Sequence, residues 1–151
     1  MDVQTTAPFV DKVNTRYLET LVGYNARRAA LAVIEVFMAR MAIYDLRVVD
    51  FSVLSLITHN PGITSKQLCA TLGILPPNLV GMVNTLEKRD LIRRLPHPTD
   101  GRAMGLHLTE AGEKMMSQAE KTAAQLEFDV TNKLSAAERK TLMQLLKKIY
   151  Q

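Results

Sequence analysis

Several things are scarce in this chain, and each scarcity removes a class of protein. One cysteine in 151 residues cannot make an intramolecular disulfide, which fits a reducing compartment. Tryptophan is absent and aromatic residues make up 5%. No apolar run approaches the ~18 residues of a membrane helix; even the richest stretch, "ALAVIEVFMARMAIY", is interrupted by Glu35 and Arg40. The N-terminus lacks the basic, apolar and small-residue pattern of a secretory signal, so a cytoplasmic location without membrane attachment is expected. The three histidines, His59, His97 and His107, have no ligand spacing, and one cysteine cannot complete a zinc site. There is no glycine-rich phosphate loop and no nucleophile motif. The expectation is therefore a protein with no metal or other cofactor and no catalytic residues.

What is present describes one folded domain. Hydrophobic residues at 47% and charged residues at 23% suit a packed core, and the length suits a single domain over 1–151. Net charge is +4, unevenly placed. Residues 64–108 carry six basic side chains against three acidic ones, whereas the flanking segments are almost balanced. A basic middle third points to a polyanionic partner, although a solvated basic face gives the same count.

Apolar spacing of three and four residues from Val10 to Met41 predicts a long helix, broken or bent near Gly23. At about 45 Å for some 30 residues, it exceeds what its own core needs. Two helices, or packing on a second subunit, would each account for that. "DFSVLSLITHNPG" predicts a shorter helix ending before Pro61. "ITSKQLCATLG" carries a capping box, Thr64 with Gln67, and stops at Gly73. "PPNLVGMVNTLEKRD" follows, with Leu79, Met82, Val83 and Leu86 inward and Asn78, Gly81, Asn84, Thr85 and Lys88 outward. These two helices and their tight turn form a helix-turn-helix.

Residues 91–108 then read strand, turn, strand around the tip "PHPTDGR". A long helix capped by Thr109 and a last helix opened by a Ser135–Glu138 capping box complete the order. The fold class is mainly α with a small β-hairpin wing, a winged helix-turn-helix.

The stretch "LEKRDLIRRLPHPTDGRAMGLHLTEAG" resembles the helix end, wing and following helix start of the MarR family of bacterial transcription regulators, and the resemblance runs over nearly the whole chain. It implies dimerisation helices at 1–45 and 113–151 around a DNA-binding lobe at 46–112. In that family the wing's Asp-x-Arg places the arginine in the DNA minor groove, and Asp100 and Arg102 match it. The recognition helix departs from the pattern. The usual hydroxyl cap is replaced by Leu75, and a Ser-Arg pair by Val80 and Gly81. Base readout is then left to Asn78, Asn84, Thr85 and Lys88 or to DNA shape.

The resemblance implies a homodimeric, ligand-responsive regulator, a repressor in the first reading, on a pseudo-palindromic double-stranded operator. Expected DNA-contacting residues are Lys66, Pro77, Asn78, Asn84, Thr85, Lys88, Arg94, His97, Thr99, Asp100 and Arg102. Lys66 and Lys88 are equally readable as plain solubilising charges. Arg93 and Arg94 point to opposite sides of a strand, so one at most reaches phosphate and the other pairs with helix acids. For a small effector the candidates are Tyr24, Arg28 and His59, suited to an aromatic acid or its CoA thioester. The bland alternative makes Arg27 and Arg28 interface salt-bridge partners and Tyr24 core. Cys69 reads as a buried small hydrophobe rather than a redox sensor. The competing functional classes are a protein-interaction module of the same fold and an effector-independent DNA binder.

Overall fold

Local hydrogen bonding decides where the first helix begins. The computed structural model describes residues 8–151, which divide into a unit ending at Ala32 and a second from Val33 to Gln151. In the first, Asn14 Oδ1 accepts the Arg16 N–H at 3.1 Å, and a short 3-10 turn spans Leu18–Thr20. Leu21 is extended, and Asn25 Nδ2 donates to the carbonyls of Glu19 and Leu21. Such side chain–backbone bonds compete with helix. Helix α1 therefore runs Val22–Met41, and the helix expected from Val10 does not form. Gly23 falls in its first turn rather than at a bend. At 20 residues, or about 30 Å, α1 no longer supports a partner on grounds of length.

In the second unit the chain leaves α1 through a 3-10 turn, Ala42–Tyr44, with Asp45 in the left-handed region. Helix α2, Val48–His59, starts two residues earlier than its sequence pattern indicated. Asp50 explains this: its carboxylate takes the Arg47 backbone N–H at 3.2 Å and the Arg47 guanidinium at 2.8 and 3.0 Å. Helix α3, Ser65–Leu72, is opened by the expected Thr64–Gln67 box and closed by Gly73 in the left-handed conformation. Helix α4, Pro76–Lys88, has Leu75 as an N-cap without a side-chain bond and prolines in its first turn, which remove donors that would otherwise go unpaired.

Strands β1, Ile92–Pro96, and β2, Met104–Leu108, pair antiparallel with Ile92 opposite Leu108 and Arg93 opposite His107. A bridge from Ile63 to Leu106 ties the hairpin to the turn before α3. Helix α5, Glu110–Val130, is capped by Thr109, whose hydroxyl accepts the Gly112 N–H at 3.0 Å. It ends before the Asn132–Leu134 stretch that its sequence pattern included. Helix α6, Ala136–Tyr150, carries the predicted Ser135–Glu138 box.

Every element of the lobe sends side chains to one core. Met41, Val53, Leu54, Ile57, Leu68, Leu79, Val83, Leu86, Ile92, Leu106, Met116 and Leu126 are all buried. The joint between hairpin and α5 is unusually tight: a Cβ on Gly112 would lie 2.1 Å from the Leu91 carbonyl oxygen. Only glycine fits there. That carbonyl accepts the Thr109 N–H at 3.0 Å, so cap, glycine and strand fix the wing against α5. Helix α6 is the opposite case. None of its residues is buried, and Leu142, Leu145, Leu146 and Ile149 face solvent.

Candidate nucleic-acid interface

The side chains of α4 sort by helical period. Leu79, Val83 and Leu86 enter the core, which leaves Pro77, Gly81, Asn84 and Lys88 on the opposite line with Asn78, Val80 and Thr85 beside them. All of these outward residues are exposed, as is Lys66 in the first turn of α3. Two polar groups on this face are already engaged. Thr85 Oγ1 donates to the Gly81 carbonyl at 2.9 Å, and Asn84 Oδ1 accepts from Arg94 Nη2 at 2.6 Å.

Arg94 links the hairpin to the helix. Its Nε also lies 3.2 Å from Glu87 Oε2, so a β1 side chain is held on two α4 residues. The face of α4 and the wing are thereby joined. Of the two adjacent arginines, Arg94 is the one that pairs with a helix acid, and Arg93 lies on the other side of the strand.

The wing tip is built by backbone bonds. His97 N–H donates to the Ala103 carbonyl and Ala103 N–H to the Asp100 carbonyl, both at 3.0 Å. The Thr99 N–H points at His97 Nδ1, 3.3 Å away, which makes Nδ1 the acceptor and puts the neutral ring's proton on Nε2. Asp100 Oδ1 accepts the Arg102 backbone N–H at 3.1 Å. Among the described residues no ion pair joins the two side chains. Asp100 shapes the turn that carries Arg102, and the guanidinium stays exposed.

Two residues outside the expected contact set find partners in the fold. Arg89, at the end of α4, donates to the carbonyls of Tyr44 and Asp45 at 2.8 and 2.7 Å. Tyr44 in turn lies 3.0 Å from Thr122 on α5 through its hydroxyl. Helix α4 is thus clamped to the α1–α2 turn, and that turn to α5. In the sequence Arg89 is one charge in "EKRD", with no signal of its carbonyl partners. Arg93 is the second. With His107 opposite, it lines a cleft of about 460 Å³ that is also lined by Thr58 of α2 and by Glu113, Ser117 and Glu120 of α5. The strand's two-residue period was the available clue.

Of the effector candidates, His59 lies beside this cleft: its Nε2 is 2.8 Å from Glu120 Oε1, which also accepts from Ser55 Oγ. Tyr24 and Arg28 lie on the part of α1 that belongs to the first unit, Tyr24 half-buried and Arg28 exposed. Cys69 is half-buried and packs against the core.

Under the lobe, Asp50 is almost fully buried. Burial pushes its carboxyl up. The Arg47 side-chain and backbone hydrogen bonds, with the charges of Arg47 and Arg89, outweigh that and hold it below the ordinary carboxylate value. Arg40 similarly holds Asp129 down across a 2.5 Å ion pair between α1 and α5. No single helix among the described residues is long and apolar enough to cross a membrane.

Known proteins share this arrangement. The MarR family signature matches residues 44–103, from the α1–α2 turn to the wing tip. The transcriptional regulatory protein assigned to the hcr operon of Thauera aromatica is 33% identical over 131 residues, which is 85% of this chain and 78% of that protein. The transcriptional repressor CouR, solved on a 23-mer DNA duplex, superposes with a TM-score of 0.87 at 36% identity, over 93% of this chain and 100% of its own. CouR bound to p-coumaroyl-CoA gives 0.81 at 35%, over 91% and 97%. With its helix-turn-helix, its wing and its likeness to these regulators along most of its length, the chain belongs to the MarR family.

Proposed function

We propose that the chain is a homodimeric transcriptional repressor that binds a pseudo-palindromic DNA operator and is released by a small aromatic effector. The observation that carries this is Arg94. It ties β1 to Asn84 and Glu87, so that the outward face of α4 and the tip with Arg102 form one surface. α4 then enters a major groove and Arg102 the flanking minor groove, whose narrow, negative floor attracts a guanidinium. Lys66, Lys88, His97 and Thr99 serve the phosphates alongside. The solved complex of CouR with DNA supports this reading.

Dimerisation through 1–45 and 113–151 is supported by apolar exposure. A 15-residue helix with no buried residue is stable when a partner covers it, and α6 is such a helix. Residues 8–32 expose Phe9, Val10, Val13, Tyr17 and Val22 in the same way. Two copies would place their recognition helices about one DNA turn apart.

An aromatic acid or its CoA thioester is the proposed effector; Tyr24 and Arg28 in the first unit, and separately His59 in the second, are the candidate contacts. The p-coumaroyl-CoA complex of CouR supports this class. On the 33–151 side, the cleft beside His59 adds Arg93 and His107 for an anionic group. The effector acts by binding unequally to two lobe spacings, only one of which fits the half-sites. A cytoplasmic, non-enzymatic role follows from this function.

The test is equilibrium binding of the purified chain to duplexes enriched from its source genome, with and without p-coumaroyl-CoA. Nanomolar binding that weakens steeply with salt, and weakens again with effector, is expected. Binding insensitive to salt would indicate a protein-interaction module instead. Tight binding unmoved by aromatic acids and their CoA esters would remove the effector.

A further inference from the structure

We propose that α4 reads thymine methyl groups: Pro77, Val80 and the methyl of Thr85 surround the bare backbone of Gly81, and this apolar rim sets thymines at the centre of each half-site. The inference rests on the DNA-binding reading above and specifies its sequence chemistry.

Three observations lead here. First, two polar groups near the centre of the α4 face, Thr85 and Asn84, are already engaged, while Asn78 and Lys88 keep their polar groups at its two ends. The Thr85 hydroxyl is spent on the Gly81 carbonyl, which leaves its methyl as the outward group. Asn84 Oδ1 is held by Arg94, so its amide keeps its donors and loses part of its acceptor capacity for the bidentate pairing that selects adenine. No arginine is present on α4 to select guanine.

Second, Val80 is 54% exposed on a helix whose other face is fully packed. Nothing among the described residues covers it. It adjoins the wing-linked residues Asn84 and Glu87, so whatever meets Arg102 and Arg94 meets Val80 too.

Third, Gly81 has no internal reason to be glycine. A Cβ there would find nothing within 4 Å, and its φ is not positive. Glycine inside a helix is disfavoured relative to alanine. Neither packing nor backbone conformation requires it, which leaves close approach by something outside the chain. A major-groove floor supplies such an approach, and thymine's C5-methyl is the apolar group displayed there.

The consequence is readout by methyl burial rather than by bidentate hydrogen bonds. Each buried methyl is worth about fourfold in affinity, so specificity accumulates over several thymines.

The experiment uses the full chain and duplexes it selects from a randomised library. Each thymine of the selected site is replaced singly by deoxyuridine, which removes the methyl and keeps the base pair. At one or more positions per half-site, deoxyuridine should weaken binding by about fourfold, and Val80→Ala should abolish that penalty. Gly81→Ala should raise the thermal midpoint while weakening binding at least about tenfold, a combination that a structural role does not give. Binding that changes by less than about 1.5-fold for every deoxyuridine overturns the proposal, as does Gly81→Ala binding like the native chain. Failure to enrich any duplex overturns the DNA-binding reading itself, and this inference with it.

Discussion

The wing holds one guanidinium on a turn made of backbone hydrogen bonds, whereas α4 presents proline, valine, glycine and a threonine whose hydroxyl is already used. Both belong to one surface, because Arg94 binds α4 from β1. If both contact DNA as proposed, they divide the work of binding by its physics. A charge in a narrow groove attracts any duplex of suitable shape and depends on salt. Apolar contacts to base edges add little attraction at a distance, and they discriminate once the duplex is seated. A family pattern that places arginine in both regions blurs this division. Here the loss of arginine at Gly81 separates the two.

Substitutions can break or sharpen that contrast. Arg102→Ala should have the largest effect, weakening operator binding at least about tenfold (~1.4 kcal/mol). Its log–log salt slope should become shallower by about one, with an unchanged thermal midpoint; fluorescence anisotropy across a salt series measures both. Val80→Ala should leave that slope unaltered. If both variants change it equally, the contrast fails.

Asp100→Ala should weaken binding by about threefold, the worth of one exposed hydrogen bond that shapes the turn. Asp100→Asn keeps an acceptor for the Arg102 N–H and should bind like the native chain. A loss of equal size in both would mean that the carboxylate's charge, not its geometry, matters. Glu87→Gln is expected to tighten binding to all duplexes by about twofold, since it releases Arg94 toward phosphate and removes an anion. Competition with a scrambled duplex would show whether the gain is independent of sequence.

The smallest effect on DNA concerns Asp50, buried in the first turn of α2. Its folded-state carboxyl lies below the ordinary 3.8, so its stabilising contribution is complete above that value. The contribution fades as pH falls through the folded value, when the buried carboxylate takes up a proton. The thermal midpoint should drop between pH 5 and more acidic solution (about pH 3), and Asp50→Asn should flatten that dependence while leaving operator affinity at pH 7 intact. Identical pH profiles for the two proteins would assign the drop to other carboxylates.

The lobe and wing were legible because their signals are local. Thr64 with Gln67, Ser135 with Glu138, Thr109 before its helix and Gly73 after one all act within a few residues of chain, and each appears where its spacing indicated. The start of α1 was not legible. Apolar spacing continues back to Val10, but Asn14 and Asn25 bond to nearby backbone and stop the helix at Val22. Periodicity records which side chains are apolar, and it is silent on such competition. In the wing, Asp100 and Arg102 stood out by sequence, but not that the carboxylate meets a backbone N–H instead of the guanidinium.

By itself, then, the sequence determined the order of elements, the caps of α3, α5 and α6 and the core face of α4, because these depend on neighbours three or four residues apart. The tertiary structure decided the partners of the arginines. Arg94 reaches α4, Arg89 reaches the carbonyls of Tyr44 and Asp45, and Arg93 turns to a cleft facing α5. A guanidinium has a long reach and many acceptors to choose from, so only the packed fold selects among them.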